Sequence, residues 1–161
     1  MVKKNKNLLI KIIFLVSIIA LVSAFFIEYI LSHQPCNLCI LERFPYLLAI
    51  IVILFIYKFS QFEKFFIFLL TIIFLVSAAL SIYHLGIEQG FIQESLVCDL
   101  KSGSNLLSKD EILKQLQEKS VSCKDVTFKI FGLSLTTLNI IISILITIVL
   151  TKIYLSYEKN K

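Results

Sequence analysis

Residues 65–85 read FFIFLLTIIFLVSAALSIYHL, a run with no Asp, Glu, Lys or Arg. A helix needs about 17–25 mostly apolar residues to cross the hydrocarbon layer of a membrane, and this run has that length. Its apolar residues cover all sides of a helix instead of one stripe, which suits lipid better than a soluble core. Three more blocks resemble it. They run over 8–31, interrupted by Lys11 and Glu28, over 40–57, and over 130–151. Glu42, Arg43 and Pro45 crowd the start of the second, where a proline is tolerable because the first turn of a helix has no partner for its N–H. The chain as a whole is 58% apolar, with only four Gly and two Pro in 161 residues. Soluble domains are roughly 45–50% apolar. The fold expected is an all-α integral membrane protein: one domain over 1–161, a four-transmembrane-helix bundle with outer loops over about 32–39 and 86–129.

Lysine sets the expected orientation. Lys3, Lys4, Lys6 and Lys11 open the chain, Lys58 and Lys64 flank the second connection, and Lys152, Lys159 and Lys161 follow the last block. Four spans place these segments on one side, and the excess of basic residues makes that side cytoplasmic, both termini included. The net charge of +5 therefore reads as membrane topology. Nucleic acid is excluded as a partner, because no basic patch with interleaved aromatics accompanies the charge. Val22-Ser23-Ala24 resembles a signal-peptide cleavage site, but the apolar run continues through Phe25 and Phe26 to Leu31, the length of an uncleaved span. In the long outer loop, Ser108 with Glu111 reads as a capping box and Leu107 with Ile112 as a hydrophobic staple. They predict a short surface helix, either lying on the bilayer or packed on its own loop.

All four cysteines, Cys36, Cys39, Cys98 and Cys123, fall in the two outer segments. Disulfides persist outside the cytosol, so this distribution points to disulfide chemistry. Cys36-Asn37-Leu38-Cys39 is a Cys-X-X-Cys pair, a spacing that commonly holds one thiol at lowered pKa. Zinc is the poorer reading, since Cys98 and Cys123 are too far apart to form the usual second pair. No metal is therefore assigned. Arg43 stands four residues after Cys39 and shares its face if the helix has already begun there. Its guanidinium could favour a thiolate, polarise a carbonyl of an electron acceptor, or anchor the chain at the headgroups. Glu42 could orient Arg43 or be solvated.

The stretch from Pro35 to Arg43 resembles the first outer loop of the DsbB family of disulfide bond formation proteins. The resemblance extends along almost the whole chain, through the four spans, the second cysteine pair and Phe131-Gly132-Leu133 entering the last span. Pro45, and the absence of proline over 93–97, differ from some relatives. The resemblance implies an enzyme of the bacterial inner membrane, a protein-disulfide:quinone oxidoreductase that uses ubiquinone or menaquinone and reoxidises a DsbA-like periplasmic thiol oxidase. By position, Cys36 and Cys39 are then the quinone-proximal pair, Cys98 and Cys123 the pair that meets the partner, and Arg43 the quinone-side arginine. His84 reads as interfacial, with a place at the quinone edge as the alternative.

The implied chemistry is physically coherent. DsbA sits near about −120 mV, so remaking its disulfide needs a stronger electron sink, which a membrane quinone supplies. The resemblance makes Cys98 the sulfur attacked by the donor and Cys123 the leaving group. Asp99 beside the first and Lys124 beside the second agree with that order. Two rivals are a relative of the vitamin K epoxide reductases, whose Cys-X-X-Cys lies near a later span, and a non-enzymatic membrane protein with structural disulfides.

Overall fold

The computed structural model describes residues 2–93, 123–124, 129–130 and 133–159. Helix α1 spans Val2–Tyr29, α2 Asn37–Leu41, α3 Phe44–Lys58 and α4 Glu63–Glu88, the last preceded by a 3-10 turn over Ser60–Phe62. A two-stranded antiparallel hairpin, β1 (Lys129–Ile130) and β2 (Leu133–Ser134), leads into α5, Leu135–Lys159. Among the described residues, four stretches are long and apolar enough to cross a membrane: Lys6–Tyr29, Asn37–Lys58, Glu63–Glu88 and Leu135–Ser156. The short helix expected near Ser108–Glu118 and the position of Cys98 lie outside the described residues.

Three departures of the helix bounds from the apolar blocks have a clear physical cause. The second span begins at Asn37 and breaks at Glu42–Arg43. Pro45 has no N–H for the carbonyl of Leu41, four residues back, and its ring crowds that carbonyl, so α3 starts afresh with the proline in its first turn. The fourth helix begins at Leu135 instead of Ile130, because Lys129–Ile130 pairs antiparallel with Leu133–Ser134 in the register Lys129↔Ser134. The third helix runs three residues past Leu85. Gly90, at φ +77, ends it: the N–H of Gly90 bonds the carbonyl of Ile87 and that of Phe91 the carbonyl of Gly86. This end is packed tightly, since a side chain at Gly86 would meet Ile92 at 2.6 Å. The chain leaves α1 through Ser32, at φ 54, and turns back toward the bundle.

The helices pack in the order α1, α3, α4, α5, with α4 against α5 the most extensive interface and α1 scarcely touching α5. Their core is apolar at mid-depth, with Ile10, Ile53, Ile67, Leu70, Phe74 and Leu150 almost fully buried. Large apolar side chains such as Leu15, Val22, Leu54, Phe65 and Leu145 are more than half exposed, a surface suited to lipid. Small polar residues join α4 to α5: Ser77 and Ser143 share a hydrogen bond of 3.2 Å, both fully buried. Small side chains let membrane helices approach closely, and their hydroxyls bond across the seam.

Candidate active site

The sulfur of Cys36 is placed by its own helix. Cys36 is the N-cap of α2, and its Sγ accepts the backbone N–H of Cys39 at 3.2 Å, in the role an Asp or Ser oxygen fills at most helix starts. Both residues are free thiols. Cys36 is buried and Cys39 partly so. The Cys36 thiol is held below its ordinary value, at about 5, chiefly by its hydrogen bond with the Cys39 thiol, then by His84, against an opposing push from burial. The thiolate is the reactive form, so Cys36 is poised at neutral pH.

His84 reaches this sulfur from the last turns of α4. Its Nε2 lies 3.6 Å from Cys36 Sγ, and its ring is 2% exposed. The other nitrogen, Nδ1, is 3.0 Å from Glu42 Oε1 and 3.4 Å from the Thr136 hydroxyl. Glu42 sits in the turn that Pro45 imposes. Its second oxygen accepts from Asn139 Nδ2 at 3.2 Å, and the same amide nitrogen donates to Ser81 Oγ at 2.7 Å. The Tyr46 hydroxyl donates to Asn139 Oδ1. Thr136 donates to Glu88 Oε1 at 2.5 Å. The other oxygen of Glu88 is buried without a hydrogen-bond partner among the described residues. A connected polar network thus runs from Cys36 through His84 to α3, α4 and α5.

A cavity of about 390 Å³ opens beside the thiols, in the gap between α1 and α5. Ile19, Ala24 and Ile27 of α1 and Ile142 of α5 form its apolar wall. Cys39, Arg43, His84 and Glu88 form its polar end. Ligand pockets run from about 300 to 1,000 Å³, mostly apolar with a few converging polar groups, which is this pattern. Cys123 lines the same cavity and packs in one buried cluster with Cys36, Leu38 and Ile87. It is disulfide-bonded.

The whole chain is similar to known proteins. The family model for disulfide bond formation protein DsbB matches residues 6–153. The chain belongs to the DsbB family. An uncharacterized protein of Rickettsia prowazekii (strain Madrid E) is 33% identical over 167 aligned positions, covering 99% of this chain and 95% of its relative. No solved structure matches. With its four spanning helices, this DsbB-family chain is a multi-pass membrane protein.

Of the residues singled out in the sequence, the fold brings Cys36, Cys39, Cys123, Arg43 and His84 around one cavity. The helix breaks at Glu42–Arg43, between Cys39 and Arg43, and both side chains line the cavity. Arg43 bonds Glu28 of α1 at 2.5 Å and lies over the Phe25 ring, 5.2 Å from its centre. Glu42 serves His84 and Asn139, neither of the two places the sequence suggested for it. Thr136 and Asn139 were not singled out. A signal for them exists. Ser77, Ser81, His84 and Glu88 follow helical spacing on α4, and Thr136, Asn139 and Ser143 follow it on α5. Two polar stripes in apolar helices predict a shared seam, and the bonds 77–143, 81–139 and 88–136 are its rungs.

Proposed function

We propose that this DsbB-family protein passes electrons from a DsbA-like thiol oxidase, through two cysteine pairs, to a membrane quinone. The observation that carries this reading is the meeting of the Cys36–Cys39 dithiol, the buried disulfide-bonded Cys123 and a cavity of about 390 Å³ at one end of four apolar helices. Membership of the DsbB family implies Cys98 as the partner of Cys123 in this reading. In the orientation set by the lysines, this end faces the periplasm and both termini lie in the cytoplasm of a bacterial inner membrane.

The exchange runs in balanced steps. A donor thiolate attacks Cys98, the bond to Cys123 breaks, and Cys123 leaves as thiolate. The second donor thiol then attacks the mixed disulfide and departs oxidised. The freed Cys123 is packed in the same cluster as Cys36, so it can attack the Cys36–Cys39 disulfide in turn and release Cys39 as thiolate. Cys98 resolves the Cys36–Cys123 bond, which leaves Cys36 and Cys39 reduced. Remaking their disulfide releases two electrons and two protons. Quinone, ubiquinone or menaquinone, accepts both when bound. The cavity suits such a ring: its wall is apolar, and Glu88, with Arg43 and His84, stands at its polar end. His84 Nε2 is placed to take the thiol proton of Cys36, and Glu42 fixes the ring by its other nitrogen.

Purified protein in detergent, given reduced DsbA-like donor and quinone, should oxidise the donor only while quinone is present. Inert cysteines and no quinone loss would instead favour a membrane protein with structural disulfides.

A further inference from the structure

From the same corner of the fold we infer a second property: the reduced Cys36–Cys39 pair, with His84, is a capture site for a thiophilic divalent cation, Zn²⁺ or Cd²⁺. Such a cation competes with disulfide formation. The inference goes beyond the redox reading, because it needs the two free thiols and His84 but neither donor nor quinone.

Geometry carries it. The sulfurs of Cys36 and Cys39 and a ring nitrogen of His84 all lie within 4.8 Å of one another. In a tetrahedral site with Zn–S of about 2.3 Å and Zn–N of about 2.0–2.1 Å, neighbouring donor atoms are roughly 3.6–3.8 Å apart. Cys36 Sγ and His84 Nε2 already stand at 3.6 Å. The remaining adjustment is within reach of a small side-chain rotation.

The surroundings match a metal site independently. A histidine ligand usually gives its other nitrogen to a carboxylate, which orients the ring and raises its basicity. His84 Nδ1 is held by Glu42 Oε1 at 3.0 Å, and Glu42 is held in turn by Asn139. On the cavity side stands Glu88, its side chain 7% exposed, with one oxygen 4.0 Å from His84 Nε2 and the other without a partner among the described residues. One carboxylate oxygen buried without a partner among the described residues, on a side chain beside that ring nitrogen, favours a cation there.

Binding is balanced without any oxidant. The cation takes both sulfurs as thiolates and His84 as a neutral imidazole, and two protons leave, one from Cys39 and one shared by Cys36 and His84. Two thiolates and a divalent cation sum to zero charge, which suits the membrane boundary. Three protein ligands leave a fourth position facing the cavity. While the cation holds both sulfurs, neither can attack the other, so oxidation waits until a chelator removes it.

The test uses the full-length protein in detergent, reduced and freed of reductant, titrated with Cd²⁺ alone. Sulfur-to-cadmium absorption and equilibrium dialysis read the result without donor or quinone. One Cd²⁺ per chain is expected at this site in a Cys98→Ser/Cys123→Ser background, and none after the Cys36–Cys39 disulfide is formed. Cys36→Ser should abolish binding, and Glu42→Gln should weaken it about 10–100-fold. If the variants fold poorly, Co²⁺ bound to that double-serine background replaces them: its spectrum should report tetrahedral coordination with two thiolates and an imidazole. Binding that is indifferent to Cys36→Ser or to oxidation of the pair, or a Co²⁺ spectrum without thiolate, would overturn the site. Rapid quinone reduction with no Cd²⁺ binding defeats the metal site alone. Stoichiometric Cd²⁺ binding with no quinone reduction defeats the redox reading alone.

Discussion

The two ends of this bundle handle charge differently. At the end carrying the connection between α3 and α4, Lys6 pairs with Glu63 at 2.7 Å, and Lys58 and Lys64 lie over the rings of Phe59 and Tyr154. These are partly accessible contacts of the kind that fix a helix end at a membrane face, each worth about 0–1 kcal/mol. At the other end, His84 is buried, and the half-buried Glu42 and Glu88 are joined to it through Asn139, Thr136 and Cys36. Ionisable groups are costly inside a membrane protein and persist where they carry function. On the proposed function, the basic end is architecture and the sulfur end is chemistry.

The largest effects should come from the sulfurs. Cys36→Ser or Cys39→Ser should reduce quinone-dependent donor oxidation to background, while circular dichroism of the helices stays unchanged. A variant that keeps turnover would place the reacting pair elsewhere. Cys39→Ala also bears on the thiolate. The Cys36 thiol sits near 5, chiefly through its bond with Cys39, so removing Cys39 should raise it. Wild-type Cys36 should stay largely ionised at neutral pH and lose its thiolate only as pH falls toward about 5. In Cys39→Ala that loss should begin at higher pH. Thiolate absorbance followed against pH reads both, and an unchanged or lower midpoint in the variant would contradict the cause assigned here.

Next in size is Glu42→Ala. It strips a partner from His84 Nδ1 and from Asn139 in a buried setting, which should cost about 1–3 kcal/mol in stability and slow thiol oxidation at least tenfold. Thermal unfolding and single-turnover kinetics measure the two separately. Normal kinetics in a destabilised variant would reduce the network to a scaffold.

Arg43→Ala should come third, raising the KM for quinone several-fold with little loss of stability, because the Arg43–Glu28 pair is partly accessible. Arg43→Lys should recover only part of it, since an ammonium lacks the planar fork that bonds Glu28 and stacks on Phe25. A variant with wild-type KM would make Arg43 an anchor to α1. The smallest effect belongs to the opposite end. Lys6→Ala should shift stability by less than about 1 kcal/mol and leave turnover unchanged. A large loss of turnover there would erase the contrast between the ends.

Much of the fold is legible in the sequence because lipid imposes a simple rule. A long apolar run such as 65–85 has few alternatives to a spanning helix, and lysines tell which ends belong together. The Cys-X-X-Cys pair is local, so its spacing reveals it directly. The break at Glu42–Arg43 was harder to read: Pro45 suits the first turn of a helix, but which helix it starts depends on the five residues of α2 before it. The hairpin ahead of α5 hid inside an apolar block, since Ile130 and Leu133 suit a strand as well as a helix. The His84–Glu42 contact spans 42 residues and is set by packing, so neither residue betrays it alone. The polar stripes of α4 and α5 carry that information, but only once the two helices are placed side by side.

The central claim is that the Cys36–Cys39 dithiol delivers its electrons to a quinone in the adjoining cavity. Anaerobic mixing of reduced protein with one equivalent of quinone, followed by quinone absorbance and thiol counting, tests it most directly. The account predicts loss of one quinone for each pair of thiols oxidised, with none lost in Cys36→Ser. Thiols that remain reduced beside intact quinone would contradict it.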